Sequence, residues 1–216
     1  MKILAVSDQV LEHLYSPCIK DRFRDVDLVV GCGDLPPYYL EFLVSMLNVP
    51  LLQIPGNHDA PSFPFSSDDS SAPFAHRGDC GNIDGRLVRE HGLLMAGLGG
   101  SMRYRPGPHQ YTEMEMAARV ARLIPRLWWN RLRYGRFLDI VVTHAPPKGI
   151  HDGVDPAHVG FAAFNRVIAA YRPRYFLHGH SHVYRRDAVT STQVGRTLVL
   201  NVCPYRLIEV PDTHAG

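Results

Sequence analysis

Five times along the chain a short aliphatic run stops abruptly at a cluster of Asp, Asn, Gly and His. Ile3–Val6 ends at Ser7-Asp8, Asp27–Val30 at Gly31-Cys32-Gly33-Asp34, and Leu51–Ile54 at Gly56-Asn57-His58-Asp59. Phe137–Val142 ends at Thr143-His144, and Tyr175–Leu177 at His178-Gly179-His180-Ser181-His182. Runs of this length bounded by turn residues read as buried strands. Between the first three, Pro17–Arg24 and Pro36–Leu47 read as helices, with Pro36 and Pro37 suited to a first turn. A β-α-β-α-β opening implies parallel strands joined by crossover helices. In such sheets ligands bind at the carboxyl ends of the strands, which is where all five polar clusters fall.

The remainder of the chain fits one α/β domain over residues 1–216, with its site between two halves. Residues 60–80, rich in Pro and Ser, read as a loop insertion. Arg86–Glu90 and Gly92–Leu98 pair as a hairpin, closed by the glycines of the GLGGS segment. Residues 112–134 carry a long helical pattern that Pro125 is expected to split or kink. Asp155–Tyr171 reads as a helix, and Ala188–Val194, Arg196–Val202 and Tyr205–Val210 as antiparallel strands.

Composition narrows the function classes. The formal charge of +2 on 216 residues gives no global field for nucleic acid or membrane. No apolar run reaches the roughly 18 residues of a membrane span, and the opening MKILAVSD is too short for a signal-peptide core. Cys18, Cys32, Cys80 and Cys203 form no C-x-x-C pair and read as reduced thiols, so a cytoplasmic location is expected. Neither a G-x-x-x-x-G-K-[ST] loop nor a G-x-G-x-x-G turn is present, against a plain nucleotide-binding domain. Twelve histidines stand beside three lysines. The histidine, aspartate and asparagine side chains of the polar clusters make a mixed oxygen and nitrogen donor set, suited to Mn, Fe, Zn or Ni more than to Ca.

Asp8, Gly33-Asp34, Gly56-Asn57-His58-Asp59, His144 and Gly179-His180-Ser181-His182, in that order, resemble the motifs of the calcineurin-like metallophosphoesterases. The resemblance runs from residue 1 to about 205, and GNHD together with GHSH is its specific part. It implies a four-layer α-β-β-α sandwich of two mixed sheets with the metals at the strand carboxyl ends. It also implies two divalent ions: Asp8 and His182 on metal one, Asp34 bridging, and Asn57, His144 and His180 on metal two. By the same resemblance a metal-bound hydroxide attacks the phosphorus of a phosphodiester or phosphomonoester. His58 protonates the leaving group and Asp59 orients His58. Manganese is the expected metal. The expected substrate is a phosphate ester, with nucleotides and nucleic acids among the candidates.

One position departs from the pattern: Val10 stands where the family's first motif carries a ligating histidine. Valine binds no metal. A water fills the place and metal one binds weakly, or Gln9, Glu12 or His13 moves in, or metal two alone remains. The last case leads to the alternative function, a catalytically impaired metal- or nucleotide-binding regulatory module.

Each residue also has a plainer reading. Asp8 alone is an ordinary cap or turn residue, and GNHD alone an ordinary loop. His178 reads equally as a residue that orients a ligand or as a packed strand end. His13, His76, His91, His109, His151, His158 and His214 read as surface residues. Arg119, Arg122, Arg126 and Arg133 fall on one helix face, read as solvated or as a stripe that tracks phosphates; Met116, Val120, Leu123 and Leu127 fall on another. Arg103 and Arg105, in a loop after GLGGS, are candidates for substrate phosphate. Trp128, Trp129 and Tyr104 suit base stacking, but paired aromatics at this spacing are expected in the core.

Overall fold

The structure, a computed structural model, describes residues 1–59, 81–182 and 188–211. The segment 60–80 read as a loop insertion, with His76 and Cys80 in it, and His214 lie outside the described residues. β1 (Lys2–Val6), β2 (Leu28–Gly31) and β3 (Leu51–Gln53) are parallel, as the opening pattern requires. α1 (Ile19–Arg22) and α2 (Pro37–Leu47) are their crossovers, and β12 (Tyr205–Glu209) adds antiparallel to β1. The resulting order is β12-β1-β2-β3.

The second sheet has the order β10-β11-β9-β8-β5-β4. Its members are β4 (Leu87–Glu90), β5 (Leu93–Leu98), β8 (Ile140–Thr143), β9 (Tyr175–His178), β10 (Ser191–Val194) and β11 (Thr197–Asn201). The β4–β5 hairpin turns on His91 and Gly92, whose φ values of 47° and 82° are the left-handed pair a two-residue hairpin demands. β6 (Ser101–Met102) and β7 (Gln110–Tyr111) pair beside α3 (Glu113–Tyr134), and α4 (Ala162–Tyr171) precedes β9.

Alternation along the strands sets the layers, because successive side chains point to opposite faces. Ile3, Ala5, Leu28 and Val30 of the first sheet share one core with Met95, Ile140, Val142, Leu177 and Leu200 of the second. Their neighbours Leu4, Val6 and Val29 face outward against Ile19, Tyr39, Leu40 and Leu43 of α1 and α2. On the far side Leu94, Ala96, Val141, Phe176 and Val199 pack on Met116, Leu123 and Leu127 of α3 and Phe164, Val167 and Ile168 of α4. The two large mixed sheets thus face each other between helical layers, the expected sandwich.

Several expectations need correction. Pro125 does not split the long helix: α3 continues through it, because Met116, Leu123 and Leu127 anchor both halves while Pro125 itself faces solvent. The helix expected over Asp155–Tyr171 begins only at Ala162. Asp155 Oδ1 instead accepts the Ala157 and His158 amides in a side-chain-stabilised turn. The open N-terminus of α4 is filled from another helix, with Glu113 accepting from the Ala162 and Ala163 amides at 3.0 and 2.7 Å. The last three strands are not one antiparallel set, since β11 runs parallel to β9 and β12 crosses to the other sheet. Trp128 and Trp129 are 55% and 64% exposed rather than core. Arg119 leaves the solvated stripe, paired with Asp84 and stacked over the Tyr111 ring.

Candidate metal centre

The parallel strands β1, β2, β3, β8 and β9 deliver all five polar clusters to one end of the sandwich. There the loops are stitched together. Asp8 N–H donates to Gly33 O at 3.2 Å, and Gly179 N–H to His144 O at 3.0 Å. Asp59 Oδ2 accepts from Gly56 N at 2.7 Å and Asp34 N at 3.0 Å, which ties the second and third clusters together. That oxygen serves backbone geometry and not the His58 ring. Asp8, Asp34 and His180 all have left-handed backbones, with φ of 65°, 56° and 63°. Such strain persists where surrounding contacts over-determine it, and it gathers at functional sites.

Glycines make the approach possible. A Cβ on Gly56 would lie 2.1 Å from Asp34 Oδ1, and one on Gly179 1.9 Å from Ser7 Oγ and 2.6 Å from Asp8 Oδ2. No side chain fits at either place.

The tautomers follow from the carbonyls. His144 Nδ1 lies 2.8 Å from Cys32 O, so the proton sits on Nδ1 and Nε2 faces Asn57 Oδ1 at 3.1 Å and Asp34 Oδ2 at 3.3 Å. His180 Nε2 lies 2.6 Å from Ala157 O, which leaves its Nδ1 for a ligand. Asp34, His144 and His180 bring their ligand atoms within 4.8 Å of one another. A buried nitrogen lone pair set against two oxygen acceptors is a repulsive arrangement until a cation enters. A proton does the same in part. Burial pulls His144 down, but hydrogen bonding and charge from Asp34, then charge from Asp8, raise it to about 9. Burial likewise pushes Asp34 up, while His144 above all holds it at about 2. His180, desolvated and beside His144, falls to about 3 and stays neutral. The residues expected to hold metal two therefore fit a divalent ion.

The metal-one side is sparser. Asp8 Oδ2 accepts from His180 N at 2.9 Å, but Oδ1 is buried without a hydrogen bond and sits 3.9 Å from His182 Nε2. An orphaned carboxylate oxygen there also fits a cation. Val10 is 39% exposed and offers nothing. Gln9, Glu12 and His13 are exposed too, and the His13 ring lies edge-on to Tyr205 at 5.5 Å. His58 is exposed at the lip, its amide bonded to Asp34 Oδ1 at 2.8 Å. Arg103 spends its guanidinium on Glu115 and Gln110 O, whereas Arg105 lies over the Tyr104 ring, whose hydroxyl is 3.4 Å from Asn57 Nδ2.

Three histidines outside the matched motifs support the site, and of these only His178 is singled out by the sequence. His178 is fully buried: its Nδ1–H donates to Gly179 O at 3.0 Å and its Nε2 accepts from His151 Nδ1 at 2.9 Å. His151 Nε2 in turn accepts from Thr192 Oγ1 at 2.8 Å, so His151 is no surface residue. His158, fixed by Asp155 at 2.8 Å, stacks at 5.0 Å against His180. The Asp155-Pro156 pair is a legible turn signal for this last support; the His151–His178 contact leaves no local trace.

A family model described as calcineurin-like phosphoesterase matches residues 2–184. Among solved structures, a Thermus thermophilus protein is 19% identical with a TM-score of 0.64, covering 93% of this chain and 88% of its own. A novel archaeal phosphodiesterase is 16% identical, TM-score 0.41, over 96% and 99% of the two chains. Vps29 of Entamoeba histolytica, complexed with Zn²⁺, is 10% identical, TM-score 0.43, over 99% and 88%. Among curated protein sequences none is significantly similar. No described helix is long and apolar enough to cross a membrane.

Proposed function

Because the chain belongs to the calcineurin-like phosphoesterase family, we propose that it is a metal-dependent phosphoesterase acting on a phosphodiester or phosphomonoester, with manganese as the preferred ion. The observation that carries this reading is the convergence of Asn57 Oδ1 and Asp34 Oδ2 on His144 Nε2, at 3.1 and 3.3 Å from that nitrogen. In this reading Asn57, His144, His180 and Asp34 hold metal two, and Asp8, His182 and the shared Asp34 hold a weaker metal one. When bound, divalent ions there supply Lewis-acid polarisation of a phosphoryl oxygen and acidify water.

The chain's own residues do the rest. In this reading exposed His58 gives a proton to the departing alkoxide, and its amide bond to Asp34 Oδ1 ties its backbone to a metal ligand. Asp59 acts on that geometry through the backbone amides of Gly56 and Asp34. Arg105 is the better placed of the two loop arginines for a substrate phosphate, because Arg103 is already engaged.

Purified protein is expected to cleave a chromogenic phosphodiester with Mn²⁺, and His58→Ala to lose roughly 100-fold or more of kcat while metal affinity is kept. Equal background rates in wild type and His58→Ala with every divalent ion would overturn the enzymatic reading and leave the binding-module alternative. Val10→His is expected to tighten binding of a second ion. Unchanged stoichiometry and affinity would mean that another group already serves that position.

A further inference from the structure

α3 carries a second apolar face that the described chain leaves largely open, with Trp128 meeting the Phe137 ring edge-on at 5.2 Å. Its inner face is accounted for by Met116, Leu123 and Leu127. On its outer side lie Met114, Ala118, Ala121, Pro125, Trp128 and Leu132, all exposed, with Met114 82%, Trp128 55% and Leu132 80% open to solvent. Their spacing is 4, 3, 4, 3, 4, which on a helix confines them to a band of about 80°. Trp129, 64% exposed, widens the band on one side. The band runs the length of a 22-residue helix, about 33 Å at 1.5 Å per residue. Isolated exposed apolar residues need no explanation, but a continuous stripe of this kind marks an interface.

The 3.5-residue repeat selects the shape of the occupant, because it is the seam along which one helix lies on another. The order of sizes selects its identity. Read antiparallel against itself about a point between Ala121 and Pro125, the stripe places Met114 opposite Leu132, Ala118 opposite Trp128, and Ala121 opposite Pro125. Large meets small where Ala118 faces Trp128, and two small residues, Ala121 and Pro125, meet nearest the axis, which lets the backbones approach closely. Charge agrees at the ends, where Glu115 of one helix falls beside Arg133 of the other; the parallel arrangement would set like charges together. A two-fold axis through the helix middle is the isologous contact of a closed dimer. A nucleic acid or a membrane surface fits less well, since Ala118 and Ala121 neither stack on bases nor insert into lipid.

We propose that the outer face of α3 is the interface of a homodimer, formed by antiparallel packing of α3 on α3 of a second copy. Arg122 and Arg126 meet their counterparts near the axis, and salt screens this repulsion. Salt equally screens the Glu115–Arg133 attraction, so association changes little as salt rises, where binding to a polyanion would weaken.

Trp128 and Trp129 are the chain's 2 tryptophans, so their emission reports on this face alone. The test is sedimentation equilibrium together with tryptophan fluorescence over micromolar to millimolar concentration, at low and moderate salt. A doubled mass with a concentration-dependent blue shift is expected. Leu132→Glu and Ala118→Trp, both at exposed sites, should each weaken association at least tenfold with an unchanged circular dichroism spectrum. A monomer with unshifted emission at every concentration overturns the proposal. So does a dimer indifferent to both substitutions, or a monomer whose emission shifts only when single-stranded DNA or anionic vesicles are added.

Discussion

Two glycines, Gly56 and Gly179, hold the centre to its dimensions, and they allow a sharp test. Ala at 179 puts a methyl into the space of Ser7 Oγ and Asp8 Oδ2, so Gly179→Ala should lower Mn²⁺ affinity by roughly 10- to 100-fold, the usual cost of displacing groups that support ligands. Gly195→Ala, where the new Cβ meets nothing within 4 Å and only the left-handed backbone is strained, should leave the titration unchanged. His144 gives a second one. Raised to about 9 by its neighbours, it holds a proton at neutral pH that must leave before its nitrogen can ligate, so metal affinity should climb with pH until about 9 and then level off. Calorimetry in buffers of different ionisation enthalpy should count close to one proton released per ion near neutral pH; a count of zero would contradict this protonation state. The same shift acts on the metal-free fold. Because the folded pKa lies above the ordinary 6.5, the pair's contribution is full below pH 6.5 and fades as pH rises toward 9. Asp34, held near 2 against an ordinary 3.8, contributes above pH 3.8 and loses its share as pH falls toward 2.

Between the strands, the turn at Asp155–His158 supports the centre without ligating it. Its Ala157 carbonyl fixes the His180 tautomer, and Asp155 holds the turn through two amides and the His158 ring. Asp155→Ala should weaken metal binding about tenfold, whereas Asp155→Asn, which keeps an amide acceptor, should recover much of it. Nitrogen chemical shifts of His180 in the metal-free protein would show whether its tautomer moves with the turn. This turn also shows where reading residues in order succeeds. Parallel strands buried on both faces appear as unbroken aliphatic runs, which is why Ile3–Val6 and Leu28–Val30 and the clusters after them are plain in the sequence. Asp155-Pro156 is a turn signal at the head of a helical pattern, and the pattern alone does not separate a turn in which one side chain caps two amides from the start of the helix. Trp128 reads as core because a helical pattern does not say which of two apolar faces meets the sheet. The His151–His178 pair is out of reach, since loop and strand meet only after the sheet has formed.

Across the molecule, the donor groups come from both sheets, so a bound ion clamps them together. At a free metal concentration about 100 times its Kd, binding should add about 2.7 kcal/mol, or a rise in Tm of roughly 5–10 °C for a chain of this size. Differential scanning fluorimetry with Mn²⁺ against chelator would measure it, and no shift would argue against a preformed site. The strand order bears also on how the chain comes to be folded. β1 pairs on one side with β2 and on the other with β12, Lys2 opposite Glu209 and Val6 opposite Tyr205. The ribosome releases the first partner early and the second about 180 residues later, as Leu28 and Ile208 both face Ile3. Until then β1 has one unprotected edge with its aliphatic face waiting, and Asp8 at its tip waits nearly as long for the His180 amide. The candidate centre is therefore complete only once residue 182 has been made, and chaperone contact during synthesis should concentrate on that first strand.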